Sequence, residues 1–229
     1  MNINRAAIKS NAKITIGNTK PSLILIALVY LGIIMLLGTL TNLVNGSFAA
    51  LMDTFREYMN GNYEYLPVLP QISTSAYLII IAINLMSLML QAGFTIACLN
   101  AAAFRPVSFG NLFDSFAIFF KVLWLQILMG IFIYLWTLLF IIPGIIAAYR
   151  YRLALYIMLE NPEMSALDCI SESKRMMQGR KGELFVLDLS FLGWHILTVI
   201  PFVSIWVYPY TNVTYVNYYF ALKNISSAQ

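Results

Sequence analysis

The chain contains very little charge. Aspartate, glutamate, lysine and arginine together make up only 10% of its 229 residues, whereas hydrophobic residues make up 60%. In soluble globular domains about a quarter of the residues are charged, because a water-exposed surface needs them. The scarcity of charge therefore excludes an ordinary soluble protein. It predicts a protein that resides in a lipid bilayer.

Residues that carry chemistry are also scarce. The chain has one histidine, His195, and two cysteines, Cys98 and Cys169, without metal-ligand spacing or a disulfide framework. It contains no Gly-rich phosphate loop, no H-E-x-x-H and no G-x-S-x-G motif. Ser190 precedes His195 by five residues, whereas side chains on one helix meet at a spacing of three or four. We predict no catalytic residues, no metal and no cofactor, and hence no enzyme.

What the chain does have is long apolar stretches. A transmembrane helix needs about 20 such residues to cross a ~30 Å hydrocarbon core. The predicted fold class is all-α, a polytopic membrane helical bundle of about six transmembrane helices. These helices form a single domain at 22–223, between a cytoplasmic basic segment at 1–21 and a cytoplasmic tail at 224–229. The predicted spans are 22–44, 76–103, 120–142, 144–160, 183–200 and 202–222.

Basic residues predict the orientation of the spans. With the N-terminus in the cytoplasm, almost every lysine and arginine outside the spans is cytoplasmic, and only Arg56 lies on the outer side. Arg150 and Arg152 fall within a span. This bias follows the positive-inside rule, so both termini are predicted to be cytoplasmic. The net charge of +4 then reflects topology and contact with anionic phospholipid, not nucleic acid.

The boundary between the third and fourth spans has two interpretations. Pro143 and Gly144 form either a tight hairpin or a kink within one continuous helix. A continuous helix would be about 60 Å long, roughly twice the thickness of the hydrocarbon core. The length and the charge bias favour the hairpin.

Two connecting segments have the periodicity of amphipathic helices that lie on a membrane surface. In 47–60, apolar residues such as Leu51 and Phe55 recur every three or four positions, with Asp53 and Arg56 opposite. In 165–178, the first turn resembles a capping box and Gly179 supplies a stop. The plainer interpretation of both is a connector helix that covers the bundle.

The second amphipathic segment carries positive charge at its end. Its apolar stripe is Leu167, Ile170 and Met177. Basic residues near anionic headgroups bind them electrostatically. The predicted headgroup contacts are Lys174, Arg175, Arg180 and Lys181.

Several polar residues fall at membrane depth. Asn84 and Gln91 lie on one face of the second span, and Asn212 lies in the sixth. Arg150, Arg152 and Asp188 are the costliest groups there, because a charge at the bilayer centre costs at least ~2.5–3.5 kcal/mol unless it has a partner or water. We expect one arginine to pair with Asp188 and the other to line a polar cavity or to extend towards the interface. The alternative is a purely structural ion pair, with hydrogen bonds between helices.

The block 141–194 is the most distinctive part of the chain. It contains IPGIIAAYRY at 142–151, ENPE at 160–163, ESKRMM at 172–177 and LFVLDLSFLGW at 184–194, and SFGNLFD at 108–114 precedes it. Together these runs resemble the bacterial integral-membrane family called domain of unknown function 975. More distantly, the chain is similar to the membrane domain attached to some glycerophosphodiester phosphodiesterases. The first resemblance implies a six-helix protein of the bacterial cytoplasmic membrane and carries no established catalytic residues.

Two functions of different classes fit this sequence. The first is a non-catalytic membrane module that binds lipid or a membrane protein partner, for which the basic residues of 165–181 and the short loops argue. The second is a small transporter or flippase with a polar path through spans two, four and six. A path requires several polar faces to coincide, so the sequence favours the binding module.

Overall fold

The computed structural model describes residues 4–63 and 71–227, and all regular secondary structure in these ranges is helical. This confirms the predicted all-α class. The ends of segments 1–21 and 224–229, at 1–3 and 228–229, lie outside the described residues. The helices are α1 Arg5–Asn18, α2 Leu23–Val44, α3 Ser47–Met59, α4 Thr74–Ala102, α5 Asn111–Asp114, α6 Phe119–Leu139, α7 Ile141–Tyr151, α8 Ala154–Glu160, α9 Ala166–Met176, α10 Lys181–Leu189, α11 Leu192–Leu197 and α12 Pro201–Ser227.

Four helical segments of the described chain are long and apolar enough to cross a membrane. They support a membrane protein, whereas the predicted count of six crossings and the orientation stay predictions. The segments are Leu23–Val44, Thr74–Ala102, Asn111–Leu139 and Ile141–Glu160.

The predicted fifth span is not one continuous helix, and the sequence interpretation of 183–200 was wrong in this respect. The segment consists of α10 and α11, which are separated at Ser190 and Phe191. Here the Phe191 N–H donates to the Asp188 carbonyl three residues back, and the Ser190 hydroxyl donates to the Leu187 carbonyl. These shorter-range bonds tighten the backbone and end the regular α-helical ladder.

The third and fourth spans form a hairpin, as predicted. The rings of Phe132 on α6 and Tyr151 on α7 have centroids 6.2 Å apart, whereas a straight helix would separate these positions by about 28 Å. The reversal occurs at Phe140, whose backbone is extended. Pro143 then stands in the first turn of α7, where its missing N–H costs no hydrogen bond.

The chain divides into two compact units. One contains Val29–Leu88, and the other contains Met1–Leu28 and Met89–Gln229. In the first unit, α3 follows Gly46 at φ 73°, and the Asn45 side chain accepts the Ser47 N–H at 2.9 Å. This helix coincides with the predicted amphipathic segment 47–60, and its placement on a membrane surface stays a prediction.

The second unit begins with α1, a helix that the sequence analysis did not predict. The Asn4 side chain caps it by accepting the N–H groups of Ala6 and Ala7. Ile8 and Ala12 are buried on one face, where the helix packs against α12. The segment 1–21 is therefore not merely a basic extension of the first span.

Small residues allow α4 to approach its neighbour closely. A Cβ atom at Gly93 would overlap the backbone carbonyl of Leu112 in α5. Ala97 and Ala101, one and two turns further along, are also buried. Gly93, Ala97 and Ala101 therefore form a small-residue ridge that packs within the protein.

The helix predicted at 165–178 is present as α9, and most of its apolar stripe is buried within the protein. Ile170 and Met177 are fully buried, and α9 packs against α6, α7, α8 and α12. The Ser165 hydroxyl caps the helix by accepting the Asp168 N–H, and Gly179 adopts φ 73° beyond its end. Two of the three residues of the predicted stripe therefore pack within the helical core, as a connector helix that covers the bundle would, whereas Leu167 is 54% exposed.

Candidate functional site

A cleft of about 530 Å³ lies within the second unit, where polar faces of several helices meet. Its volume is in the range of ligand sites in proteins, about 300–1,000 Å³. We call it the Arg152 cleft. Its polar lining comprises Gln91 and Thr95 of α4, Gln126 of α6, Tyr151, Arg152, Tyr156, His195 of α11, and Tyr208, Thr211, Asn212 and Tyr215 of α12.

Arg152 reaches the cleft because the helix breaks beside it. Helix α7 ends at Tyr151 and α8 begins at Ala154, so backbone groups at the break lose their partners within the helix. The buried Ser173 of α9 replaces them: its hydroxyl accepts the Leu153 N–H at 3.2 Å and donates to the Arg150 carbonyl at 2.7 Å. One side chain therefore satisfies both sides of the break.

The guanidinium of Arg152 lies over an aromatic ring rather than beside a carboxylate. Its central carbon is 5.1 Å from the centroid of the Tyr215 ring, a cation–π arrangement. Among the described residues, no carboxylate oxygen lies within 4.0 Å of this guanidinium. Its N–H donors therefore remain available to an anion in the cleft.

The predicted ion pair between Asp188 and an arginine is wrong. The Asp188 carboxylate instead accepts hydrogen bonds from Tyr149 at 2.8 Å and Tyr215 at 2.7 Å, and the described residues place no cation within ion-pair distance of it. Two phenols stabilise the carboxylate in place of a salt bridge. The Tyr215 ring consequently has Arg152 over its face and Asp188 at its hydroxyl.

Two of the predicted cavity residues, Gln91 and Asn212, do line the cleft with Arg152. The Asn212 amide nitrogen donates to the Tyr208 carbonyl at 2.8 Å, and the Asn212 side-chain oxygen accepts no hydrogen bond from the described residues. The amide of Gln91 and that of Gln126 form no hydrogen bond within the described chain. Polar side chains without internal partners are what a polar ligand requires.

Neither Asn84 nor Arg150 lines the Arg152 cleft. Asn84 belongs to the other unit, where its amide donates to the Ile80 carbonyl at 2.9 Å. Arg150 is half-buried, and its backbone carbonyl accepts the bond from Ser173. Of the two arginines, only Arg152 lines the cleft.

Three of the four predicted headgroup contacts already have partners within the protein. Arg175 forms two hydrogen bonds with Glu172, and Arg180 lies 3.1 Å from Glu183. The hydrogen bond from Arg175 lowers the pKa of Glu172 below its usual value. The Lys174 ammonium lies 5.4 Å from the Tyr151 ring centroid, and Lys181 is half-exposed. Contact of these four residues with lipid headgroups stays a prediction.

The sequence analysis missed several residues of this site. Gln126 could have been predicted, because an amide within an apolar span needs a polar partner. Tyr149 shares a helix face with Arg152, but nothing in the sequence connects it with Asp188. Ser173 carries no signal, since a serine inside an amphipathic helix is ordinary.

One protein family matches the C-terminal part of the chain, which contains Arg152. Residues 137–226 match the family described as protein of unknown function (DUF975). This confirms the resemblance over that region, which includes Arg152, Asp188 and Tyr215. Comparison with curated proteins and with solved structures gives no match. The more distant similarity to the glycerophosphodiester phosphodiesterase membrane domain therefore stays a prediction.

Proposed function

We propose that this is a non-catalytic, multi-pass membrane protein that binds an anionic group in the Arg152 cleft. The observation that carries the proposal is the guanidinium of Arg152, which faces a polar cleft with no carboxylate beside it. A positive charge in a membrane protein is costly without a partner. A ligand with a phosphate or carboxylate would supply the missing negative charge.

The lining of the cleft favours binding over chemistry. Within the described ranges 4–63 and 71–227, the lining contains no aspartate, glutamate, cysteine or serine that would act as a nucleophile beside His195. Gln91, Gln126 and Asn212 offer amide groups for hydrogen bonds to hydroxyl or phosphate oxygens. The anion belongs either to a phospholipid headgroup or to a free solute. A protein partner is a weaker candidate, because these groups face a concave site.

Transport is the second candidate, and one observation favours it. The polar faces of the predicted spans two, four and six meet at the cleft through Gln91, Arg152 and Asn212. That coincidence is what a polar path requires. Transport additionally requires access to the cleft from both sides of the membrane, and so it is tested separately.

The test is native mass spectrometry of the full chain released from nanodiscs. Wild-type protein is prepared in phosphatidylcholine alone, in phosphatidylcholine with phosphatidylglycerol, and in phosphatidylcholine with added glycerol phosphate. The variant is Arg152→Gln, and the matched control is Arg150→Gln, since Arg150 does not line the cleft. Loss of charge-assisted hydrogen bonds predicts a drop in ligand retention of roughly 10- to 100-fold in Arg152→Gln only.

The outcomes separate the candidates. Arg152-dependent retention of phosphatidylglycerol identifies a lipid headgroup, and retention of glycerol phosphate identifies a solute. Equal retention by wild type and Arg152→Gln in every preparation contradicts the proposal. Arg152-dependent flux of glycerol phosphate into proteoliposomes would establish transport, and a wild-type protein that binds without flux would exclude it for this solute.

A further inference from the structure

A second, more apolar groove is lined by residues of α1, α11 and α12 and by Ile24 of α2. It has a volume of about 290 Å³, and Lys13 of α1 lies at its polar end. We call it the α1 groove. Its apolar walls are formed by Ile16, Ile24, Trp194, Trp206 and Val207.

Three cations share one face of α1. Arg5, Lys9 and Lys13 recur every four residues, so successive side chains lie about 40° apart around the helix. Among the described residues, none of the three has a carboxylate within ion-pair distance. Burial and the charge of Arg5 lower the pKa of Lys9, as expected for cations that are close together without an anion to offset them.

Lys13 lines the groove, and Lys9 lies next to it through Phe191, whose ring centroid is 5.6 Å from that of the lining residue Tyr210. Lys9 donates to the Ser190 hydroxyl at 2.7 Å and lies 4.4 Å from the Phe191 ring centroid. The Lys13 ammonium lies 5.9 Å from the ring centroid of Tyr210, which itself lines the groove. Positive charge is therefore held at one end of an apolar surface.

The groove walls present exposed aromatic surface. Trp194 and Trp206 are 47% and 59% exposed, and large rings of this kind pack against apolar groups. Ile24 belongs to the first predicted span, which α1 precedes directly. An apolar channel with cations at one end is complementary to a molecule with a hydrocarbon chain and a negative headgroup.

We propose that the α1 groove binds one anionic phospholipid, with an acyl chain against Trp194, Trp206 and Ile24 and the phosphate beside Lys9 and Lys13. This proposal goes beyond the Arg152 cleft, because the two sites share no lining residue. It assigns a role to the basic face of α1, in addition to the packing of this helix against α12.

The experiment compares binding of phosphatidylglycerol with that of phosphatidylcholine carrying the same acyl chains. Full-length protein with Arg152→Gln, released from mixed nanodiscs, is measured by native mass spectrometry so that the cleft does not contribute. Each cation near an anionic lipid is worth about 1 kcal/mol, so Lys9→Gln with Lys13→Gln should reduce the preference for phosphatidylglycerol roughly thirtyfold. Lys20→Gln, the same charge change beyond the end of α1, is the matched control.

A second variant tests the apolar half without changing charge. Ile24→Trp fills the groove, and it should displace the lipid while leaving the cations in place. As a second readout, photoreactive phosphatidylglycerol should label peptides containing Trp194 and Trp206 in Arg152→Gln protein more than photoreactive phosphatidylcholine does, and the excess should be lost in Lys9→Gln with Lys13→Gln.

Several results would overturn the inference. One is equal retention of both lipids by protein whose groove is unchanged. Another is a loss of preference for phosphatidylglycerol in Lys20→Gln that equals the loss in the double lysine variant. The third is a dimer that disappears in Ile24→Trp, because a second copy of the chain would then occupy the groove. Failure here leaves the cleft proposal intact, since that one depends on Arg152→Gln in otherwise wild-type protein.

Discussion

At the scale of single residues, the site depends on one carboxylate that is stabilised by phenols. Asp188 accepts hydrogen bonds from Tyr149 and Tyr215, and Arg152 lies over the ring of the latter. A neutral donor satisfies a carboxylate without cancelling the charge of a nearby cation. This arrangement leaves the guanidinium available to a ligand, which a direct ion pair with Asp188 would not.

The tyrosine contacts give the first prediction. Tyr149→Phe and Tyr215→Phe should each lower the free energy of unfolding in detergent by about 1.5–3 kcal/mol, because each removes a hydrogen bond to a charged group. Together they should cost more than the sum, since Asp188 then has no donor. Tyr134→Phe, on an exposed face of α6, is the control. Recovery of stability by Arg150→Asp combined with Asp188→Arg would contradict the assignment.

Ser173 gives the second prediction. Ser173→Ala leaves the Leu153 N–H and the Arg150 carbonyl without their present partner, and each unpaired buried group costs about 1–3 kcal/mol. We expect lower thermal stability and a weaker Arg152-dependent ligand signal. Ser171→Ala changes an exposed serine on the same helix and should leave both unchanged. If the two variants behave alike, the hydrogen bonds of Ser173 do not stabilise the break between α7 and α8.

At the scale of helices, two glycines allow two pairs of helices to approach each other closely. A Cβ atom at Gly144 would overlap Thr137 across the turn between α6 and α7, and one at Gly93 would overlap the Leu112 backbone. Neither neighbour is the free end of a flexible side chain. Any added atom therefore requires a shift of packed backbone, which costs more than the small gain in helix propensity.

The third prediction concerns these glycines. Gly93→Ala and Gly144→Ala should each destabilise the protein by about 1–3 kcal/mol through overpacking, as measured by unfolding in detergent. Gly130→Ala is a matched control within α6, because nothing lies within 4 Å of the Cβ it would add. It should be neutral or slightly stabilising. If all three variants behave alike, the close approaches do not contribute to packing.

At the scale of the whole molecule, the number of crossings depends on α10, α11 and α12, none of which is among the four segments of the described chain that are long and apolar enough to cross. Neither α10 nor α11 alone is long enough to span a bilayer, although the two segments in sequence cover the predicted fifth span. The charge distribution still favours cytoplasmic termini, because the basic residues would otherwise lie outside. A crossing by a broken helix is possible only where other helices or water satisfy the backbone.

The fourth prediction tests the topology by cysteine labelling in intact cells. With cytoplasmic termini and six crossings, Arg56→Cys and Val199→Cys should react with a membrane-impermeant maleimide from outside. Lys20→Cys and Asn224→Cys should react only after permeabilisation. Cys98 and Cys169 are buried, so background should be low. Protection of Val199→Cys until permeabilisation would mean that α10 and α11 do not cross.

Much of the fold could be predicted from local composition. Apolar length gave the helices around 22–44 and 76–103, and the capping pattern at Ser165 gave α9. The break at Arg152 could not be predicted, because its backbone groups are satisfied by Ser173 of another helix. The same holds for Asp188: an acid and two arginines suggest an ion pair, and only the packing of α7, α10 and α12 brings tyrosines to it instead.

The sequence by itself determined that this chain suits a lipid bilayer, that it is helical, and that costly polar groups occur in its apolar segments. These properties follow from composition and periodicity, which depend on neighbours along the chain. The tertiary structure alone decided that Gln91, Arg152 and Asn212 face one cleft, that α1 packs on α12, and that the face of α9 is buried. Such contacts join residues far apart in sequence, and they are fixed by packing between helices rather than by local preference.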